Sequence, residues 1–378
     1  MRGAADPDAR VVLAILSLSV LGMTATSPSA RKAFFVPIAA LSICLVFFTA
    51  SDNLPNDYFQ GCATMINLFR MSDFLLLTDV HKEIRKKGEI RDVSTLPFLS
   101  RLWRSLSLYA SLRGVGWDHE PTSHLPAPPK RSKTVFILRQ SLVLAQSYLI
   151  FNFGNLLVLL NSSFSEGGPP FSSQKWWIRP TAIGQTLQVN GFLQGLYTLC
   201  SIIGVVANLS TPYDWPPLFG SFTDAYTVRN YWGRVWHQFL TAHGTFFANV
   251  LGIPKGRFRS YFSLYVAFFI SGLIHYFGDY KIIQNWSGGS LIYFTLQAVA
   301  ITFEDGVVGL VRRSGVKVPP VLAKLVGYLW VVAWFSFAIP IWMEPHVKAG
   351  ITSNDVSDNA VIPALAQEIA ARLRLEVR

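Results

Sequence analysis

Seven stretches of this chain are long, apolar and almost free of charge: 11–26, 33–50, 134–160, 181–208, 260–278, 288–310 and 321–343. A run of roughly 18 or more such residues is the mark of a helix crossing a bilayer. Inside hydrocarbon each backbone amide must find its partner within its own segment, which a helix achieves and a loop does not. The first run is short, and the sixth is interrupted by Glu304 and Asp305. Charged residues make up 15% of the chain, against roughly 25% in ordinary soluble proteins, so the runs are not balanced by a solvated surface of normal size. The sequence predicts an all-α, polytopic membrane protein. Short apolar pieces near 68–77 and 98–112 read as interfacial or re-entrant, which puts the expected count at about seven to nine transmembrane helices. Arg2 and Arg10 precede the first run as they would in a signal peptide, but a second run follows after a short link, and the pair reads as a retained hairpin.

The 33 Lys and Arg outnumber the 22 Asp and Glu, for a net charge of +11. With apolar runs of this length, the matching anionic surface is a membrane and not a nucleic acid. Basic residues near the run ends gather in the N-terminus and in loops 51–133, 209–259 and 311–320, which places those segments in the cytosol. The sequons Asn161-Ser-Ser and Asn285-Trp-Ser then face the lumen, close to the membrane boundary. The chain divides into an N-terminal hairpin (1–60), a cytosolic or interfacial segment (61–133), a membrane-embedded core (134–345) and a polar tail (346–378) ending in an amphipathic helix. Cys44, Cys62 and Cys200 are too scattered for a disulfide framework or a thiolate site, and no metal is implied.

Ionisable side chains inside membrane segments point to function, because the bilayer makes them costly. The candidates are Arg139, His275, Glu304, Asp305 and Lys324. Arg139 and Lys324 lie near run ends and can snorkel to the surface. Glu304 and Asp305, in Ile301-Thr-Phe-Glu-Asp-Gly306, either orient a partner or mark a helix end at Gly306. His275 is the only histidine in any predicted span. A lone histidine on an apolar face is more often structural, and its solitude argues against bis-imidazole haem and against zinc. Loop 214–251 is too polar to span, yet rich in aromatic residues. There Trp232, Trp236, Phe239 and His243 recur at helical spacing, with Arg229, Asn230, Arg234 and His237 off the stripe. One reading is an interfacial amphipathic helix; the other is a cytosolic gate presenting Arg234 and His237 to an anionic, water-soluble donor.

Asn230-Tyr-Trp-Gly-Arg-Val-Trp-His-Gln238, with His275 following 38 residues after His237, resembles the wax synthase-like branch of the membrane-bound O-acyltransferases. Pro217-Leu-Phe-Gly-Ser-Phe222 matches that family's approach to the motif. Arg113-Gly-Val-Gly-Trp117 and Arg70-Met-Ser-Asp-Phe-Leu-Leu-Leu77 resemble segments of fungal members that decorate terpenoids and meroterpenoids. The likeness spans about residues 65–345, and the 214–278 region carries most of its specificity. It implies transfer of acetyl from acetyl-CoA, as co-substrate, to a hydroxyl of a terpenoid or meroterpenoid intermediate in fungal secondary metabolism. It further implies His275 as general base and His237 as a second polar participant, with Asn230, Trp232, Arg234 and Trp236 at the donor site. Gly233-Arg234-Val235 departs from the pattern, holding one basic residue where many relatives show two.

The chemistry agrees with the resemblance. Attack of an alcohol on a thioester needs a base that titrates near working pH, and a buried, neutral imidazole is suited to it. No G-x-S-x-G elbow occurs, so direct transfer without an acyl-enzyme is the simpler route. His275 lies 15 residues into its run, roughly 22 Å along a helix and beyond the midplane of an untilted span, so either a tilted helix or a deep tunnel from the cytosolic face is expected to bring the donor to it. The expected partners are acyl-CoA, a hydrophobic alcohol and the lipid of a membrane, the endoplasmic reticulum being the expected one; oligomeric state is open. A long-chain acyl donor giving wax or sterol esters is the alternative within the class. A transporter or a non-catalytic scaffold is the alternative outside it.

Overall fold

A computed structural model describes residues 9–89, 92–111, 113–120, 129–236 and 247–351, together with Glu368 and Arg372. Among the described residues the long elements are all helices: α1 (Ala9–Thr24), α2 (Pro28–Phe47), α3 (Leu54–Ser72), α4 (Phe98–Ala110), α5 (Lys133–Leu160), α6 (Ile183–Val206), α7 (Arg257–Ile283), α8 (Ser290–Arg313) and α9 (Pro320–Ala349). An isolated antiparallel bridge pairs Lys86 with Trp117. Among the described residues six helices are long and apolar enough to cross a membrane: α2, α5, α6 with its leading turn from Arg179, α7, α8 and α9. The first sequence run forms α1, but its 16 residues extend only about 24 Å, short of a hydrocarbon core of roughly 30 Å.

Two sequence readings change. The segment read as a cytosolic loop from 51 to 133 contains the 19-residue helix α3, which packs against α2 and α7. Asn53 caps it by accepting from Asn56 N, and Pro55 sits in its first turn, where the missing N–H costs nothing. Two of the polar residues that hid it from a hydropathy reading, Asp57 and Asn67, are satisfied internally. The buried Asp57 carboxylate accepts from Ser51 N at 2.9 Å, while Asn67 donates to Ser19 and accepts from Tyr109. Second, α8 runs unbroken through Gly306 to Arg313. A single glycine in a helix costs only about 1 kcal/mol, too little to end one that is held on both sides.

The chain folds as two compact units, the first comprising 1–123 and 239–291 and the second 124–238 and 292–378. In the first, Met23, Ile38, Leu45, Met71, Phe74, Leu108 and Trp117 form one core. Lys281 of α7 is fully buried, its ammonium donating to the carbonyls of Leu45 and Thr49 and to Thr49 Oγ1. A cation thus meets the negative end of the α2 dipole and donates to Leu45 O, one of the carbonyls of its last turn. In the second unit α5 and α6 form a close pair, and α9 packs beside α6.

Candidate functional site

His275 lies half-buried on α7 in the first unit. The crossing of α7 with α3 is set by two glycines: a Cβ on Gly61 would stand 3.0 Å from Gly278 Cα. That close approach brings Tyr58, one turn before Cys62, against the imidazole. Tyr58 Oη lies 2.9 Å from His275 Nδ1, the rings lie 26° from parallel, and Cys62 Sγ is 3.5 Å from the same nitrogen. In the tautomer where Nδ1–H donates to the phenol oxygen, Nε2 keeps its lone pair and can accept a proton. One turn further along α7, the buried Asp279 accepts from Ser290 N at 2.9 Å and Ser290 Oγ at 2.7 Å, capping the start of α8.

The aromatic motif belongs to the second unit. Thr227 caps its first turn by accepting from Asn230 N, and the chain then widens into a single π turn over Tyr231–Val235. The helix stops there: Trp236 is extended, at φ −76° and ψ 150°, and its N–H donates back to Tyr231 O at 2.7 Å. The expected helical stripe is therefore broken at Trp236. The π turn shifts the register, and the Trp236 ring stacks back on Tyr231 at 5.7 Å instead of continuing the row. His237, Phe239 and His243 lie outside the described residues.

Glu304 and Asp305 hold this segment in place, which decides between their two sequence readings. Glu304 accepts from Val228 N at 2.8 Å, and Asp305 pairs with Arg229. Trp232 Nε1 donates to Gln297 Oε1 at 3.2 Å, an acceptor shared with Trp334 at 2.9 Å. Arg234 is exposed; Asn230, Trp232 and Trp236 are half-buried. Burial lifts the Tyr231 phenol well above its ordinary value, so this side chain is a neutral wall at any physiological pH. Gly220 accounts for its place in Pro217–Phe222: its N–H donates to Val235 O at 2.9 Å, and a Cβ there would run into Arg234 O.

The sequence profile of the membrane bound O-acyl transferase family matches residues 215–296, a span that takes in the aromatic motif and His275. Over most of its length the chain is similar to acetyltransferase ple2 of Rhodocybe pseudopiperita, at 34% identity covering 88% of this chain and 89% of the relative. The chain belongs to the membrane-bound O-acyltransferase family. Other similar members are acetyltransferase eriL of Hericium erinaceus, 30% identical over 90% of this chain and 91% of that one, and acetyltransferase aurG of Calcarisporium arbuscula, 31% identical over 66% of each. No solved structure matches the chain. It is an integral membrane enzyme that moves an acyl group from a donor to an acceptor.

In this acyltransferase Asn230, Trp232, Arg234 and Trp236 share one short anchored segment, and His275 stands in the other unit beside Tyr58. Of the remaining ionisable candidates, Arg139 is exposed near the start of α5, and Lys324 Nζ sits 5.4 Å from the Tyr226 ring centroid. Tyr58 is the residue that sequence reasoning missed. The signal for it was the four-residue step from Tyr58 to Cys62 beside Gly61, a helical face inside a segment read as loop.

Proposed function

We propose that this acyltransferase acetylates a hydroxyl of a terpenoid or meroterpenoid intermediate in secondary metabolism, with acetyl-CoA as donor and His275 as general base. Three similar fungal enzymes are named acetyltransferases, which supports the acetyl group over a long-chain acyl group. The observation that carries the assignment of the base is the contact of Tyr58 Oη with His275 Nδ1 at 2.9 Å. With Nδ1–H directed to the phenol oxygen, Nε2 takes the proton of the acceptor hydroxyl as its oxygen attacks the thioester carbonyl. Collapse of the tetrahedral intermediate breaks the C–S bond, and the imidazolium returns the proton to the departing thiolate. The products are the acetate ester and free CoA, with no acyl-enzyme. A positioned base of this kind contributes roughly a hundred- to ten-thousand-fold, and surroundings poor in water limit hydrolysis of the thioester.

His237 is assigned as the second polar participant, and Asn230, Trp232, Arg234 and Trp236 as donor-binding residues. Their shared anchoring by Glu304, Asp305 and Gln297 supports that role for the segment. The enzyme is placed in the endoplasmic reticulum, with the donor arriving from the cytosol and the acceptor from the lipid. The test uses microsomes with matched levels of wild type, His275→Ala or His237→Ala, supplied with acetyl-CoA or palmitoyl-CoA and hydroxylated terpenoids, and product analysis by mass spectrometry. Acetate ester formed by wild type and lost in His275→Ala is the expected result. Ester that survives in His275→Ala overturns the assignment of the base, and preference for palmitoyl-CoA overturns that of the donor.

A further inference from the structure

The second unit contains a cavity of about 870 Å³ between α5, α6 and the loop before the aromatic motif. Its floor on α5 is one helical stripe running from Phe136 through Arg139 and Val143 to Ser147, and Asn190 and Tyr197 face it from α6. Three cations, Lys130, Arg131 and Arg139, gather at one end. At the other, Asn190 is 3% exposed, and its side-chain nitrogen has no hydrogen-bond partner among the described residues. A buried amide N–H without an acceptor is rare and costly, above all in a membrane segment. The same wall carries Phe219 and Gly220, and the latter is hydrogen-bonded to Val235 of the motif segment.

These features describe one kind of ligand: an elongated molecule with phosphate at one end and a carbonyl oxygen well away from it. The separation is set by α5 and α6. Gly191, next to Asn190, lies against Ser147 O and Phe151 N, so Asn190 stands level with residues 147–151 of α5. From Arg139 that is about 12 to 18 Å along the helix. Two sources carry both groups, a CoA thioester and an anionic phospholipid. In a phospholipid the ester carbonyls lie a few bonds from the phosphate, and the tails beyond offer no acceptor. In a CoA thioester the pantetheine carbonyls come well beyond the phosphates.

We infer that this cavity holds the phosphate and pantetheine portion of the donor, with the phosphates on Lys130, Arg131 and Arg139 and a pantetheine carbonyl on the Asn190 amide. The inference rests on the proposed donor and adds the residues that select it.

The test measures CoA affinity by titration calorimetry on full-length protein in detergent, for wild type, His275→Ala, Arg139→Gln and Asn190→Leu. Arg139→Gln and Asn190→Leu each weaken CoA about ten-fold, as loss of a charge-assisted or buried hydrogen bond does, while His275→Ala binds as wild type. Unchanged affinity in both of the first two variants overturns the site. Native mass spectrometry supplies the lipid arm: an anionic phospholipid retained by wild type and lost in Arg139→Gln, with CoA affinity unchanged, overturns the donor as occupant. If Asn190→Leu does not fold, Asn190→Asp, which keeps the volume and removes the donor, replaces it with the same expected loss. Wild type that binds CoA through these residues yet forms no ester overturns the proposed function and leaves the site standing.

Discussion

Tyr58 and His275 are 217 residues apart in the chain, yet the phenol oxygen and the imidazole Nδ1 stand 2.9 Å from each other. In the proposed mechanism Tyr58 is a positioning residue: it touches the imidazole, and through it selects which nitrogen carries the proton. Tyr58→Phe removes one hydrogen bond worth about 1–1.5 kcal/mol, so kcat falls roughly ten-fold. The KM for acetyl-CoA stays close to wild type, because the hydroxyl contributes to the ring's tautomer and not to donor binding. Steady-state kinetics on matched membranes check this; a rise in KM with kcat unchanged would point to a donor contact instead.

Gly220→Ala drives a methyl group into the Arg234 carbonyl where the backbone stands. The loop must move and loses the hydrogen bond from residue 220 to Val235. An overpacked site of this kind costs about 1–3 kcal/mol, read as a lower thermal midpoint of the purified enzyme. Activity drops further than stability does, since the displaced carbonyl belongs to the motif segment.

Glu304→Ala leaves the buried Val228 N–H without its acceptor, at a cost of about 1–3 kcal/mol. Glu304→Gln keeps an oxygen at that place and restores most of the loss. Thermal unfolding of the two variants side by side separates an anchoring role from a catalytic one, in which Glu304→Gln would stay inactive.

His81 gives the first unit a pH dependence. It is 5% exposed, Nε2 lies 2.9 Å from Met23 O, and Arg31 faces Nδ1 at 3.4 Å. Burial holds its imidazole below the ordinary value of 6.5, with the neighbouring Arg31 and Arg104 charges pressing the same way; the Met23 carbonyl and Asp79 oppose them. His119, also lowered by burial, acts in the same direction. In the unfolded chain both titrate near 6.5, so stability is full above that pH and is lost as pH falls through 6.5 toward the folded values. The thermal midpoint therefore drops between pH 7.5 and 5.5, and His81→Gln flattens the slope. A midpoint that is level across this range would exclude the effect.

The two sequons differ in accessibility. Asn161 is fully buried, donating to Thr181 Oγ1 at 3.0 Å and accepting from Ser163 N and Gln174 Nε2. Asn285 is exposed on the α7–α8 loop. With both loops lumenal, the fully folded enzyme carries its glycan on Asn285 alone. The gel mobility shift on glycosidase treatment disappears in Asn285→Gln and persists in Asn161→Gln, and the reverse pattern would contradict the placement of Asn161.

What was legible in the sequence follows from what each residue does locally. Apolar runs demand helices wherever lipid or core surrounds them, so α2, α5, α6, α7, α8 and α9 lie where hydropathy put them. His275 stood out because an imidazole is costly among apolar neighbours, and Asn230 to Trp236 through likeness to a family. Long-range contact decided the rest. Asp57 and Asn67 made α3 resemble a loop, since a hydropathy reading cannot see that Ser51, Ser19 and Tyr109 satisfy them. Helical spacing carried the aromatic stripe past Trp236, whereas stacking on Tyr231 and the π turn ended it. The sequence by itself determined which apolar segments are helical and that an imidazole stands among them. Only tertiary structure decided that Gly61 meets Gly278, and with it that Tyr58 holds Nδ1 of His275, because such a pairing depends on where two helices far apart in the chain cross.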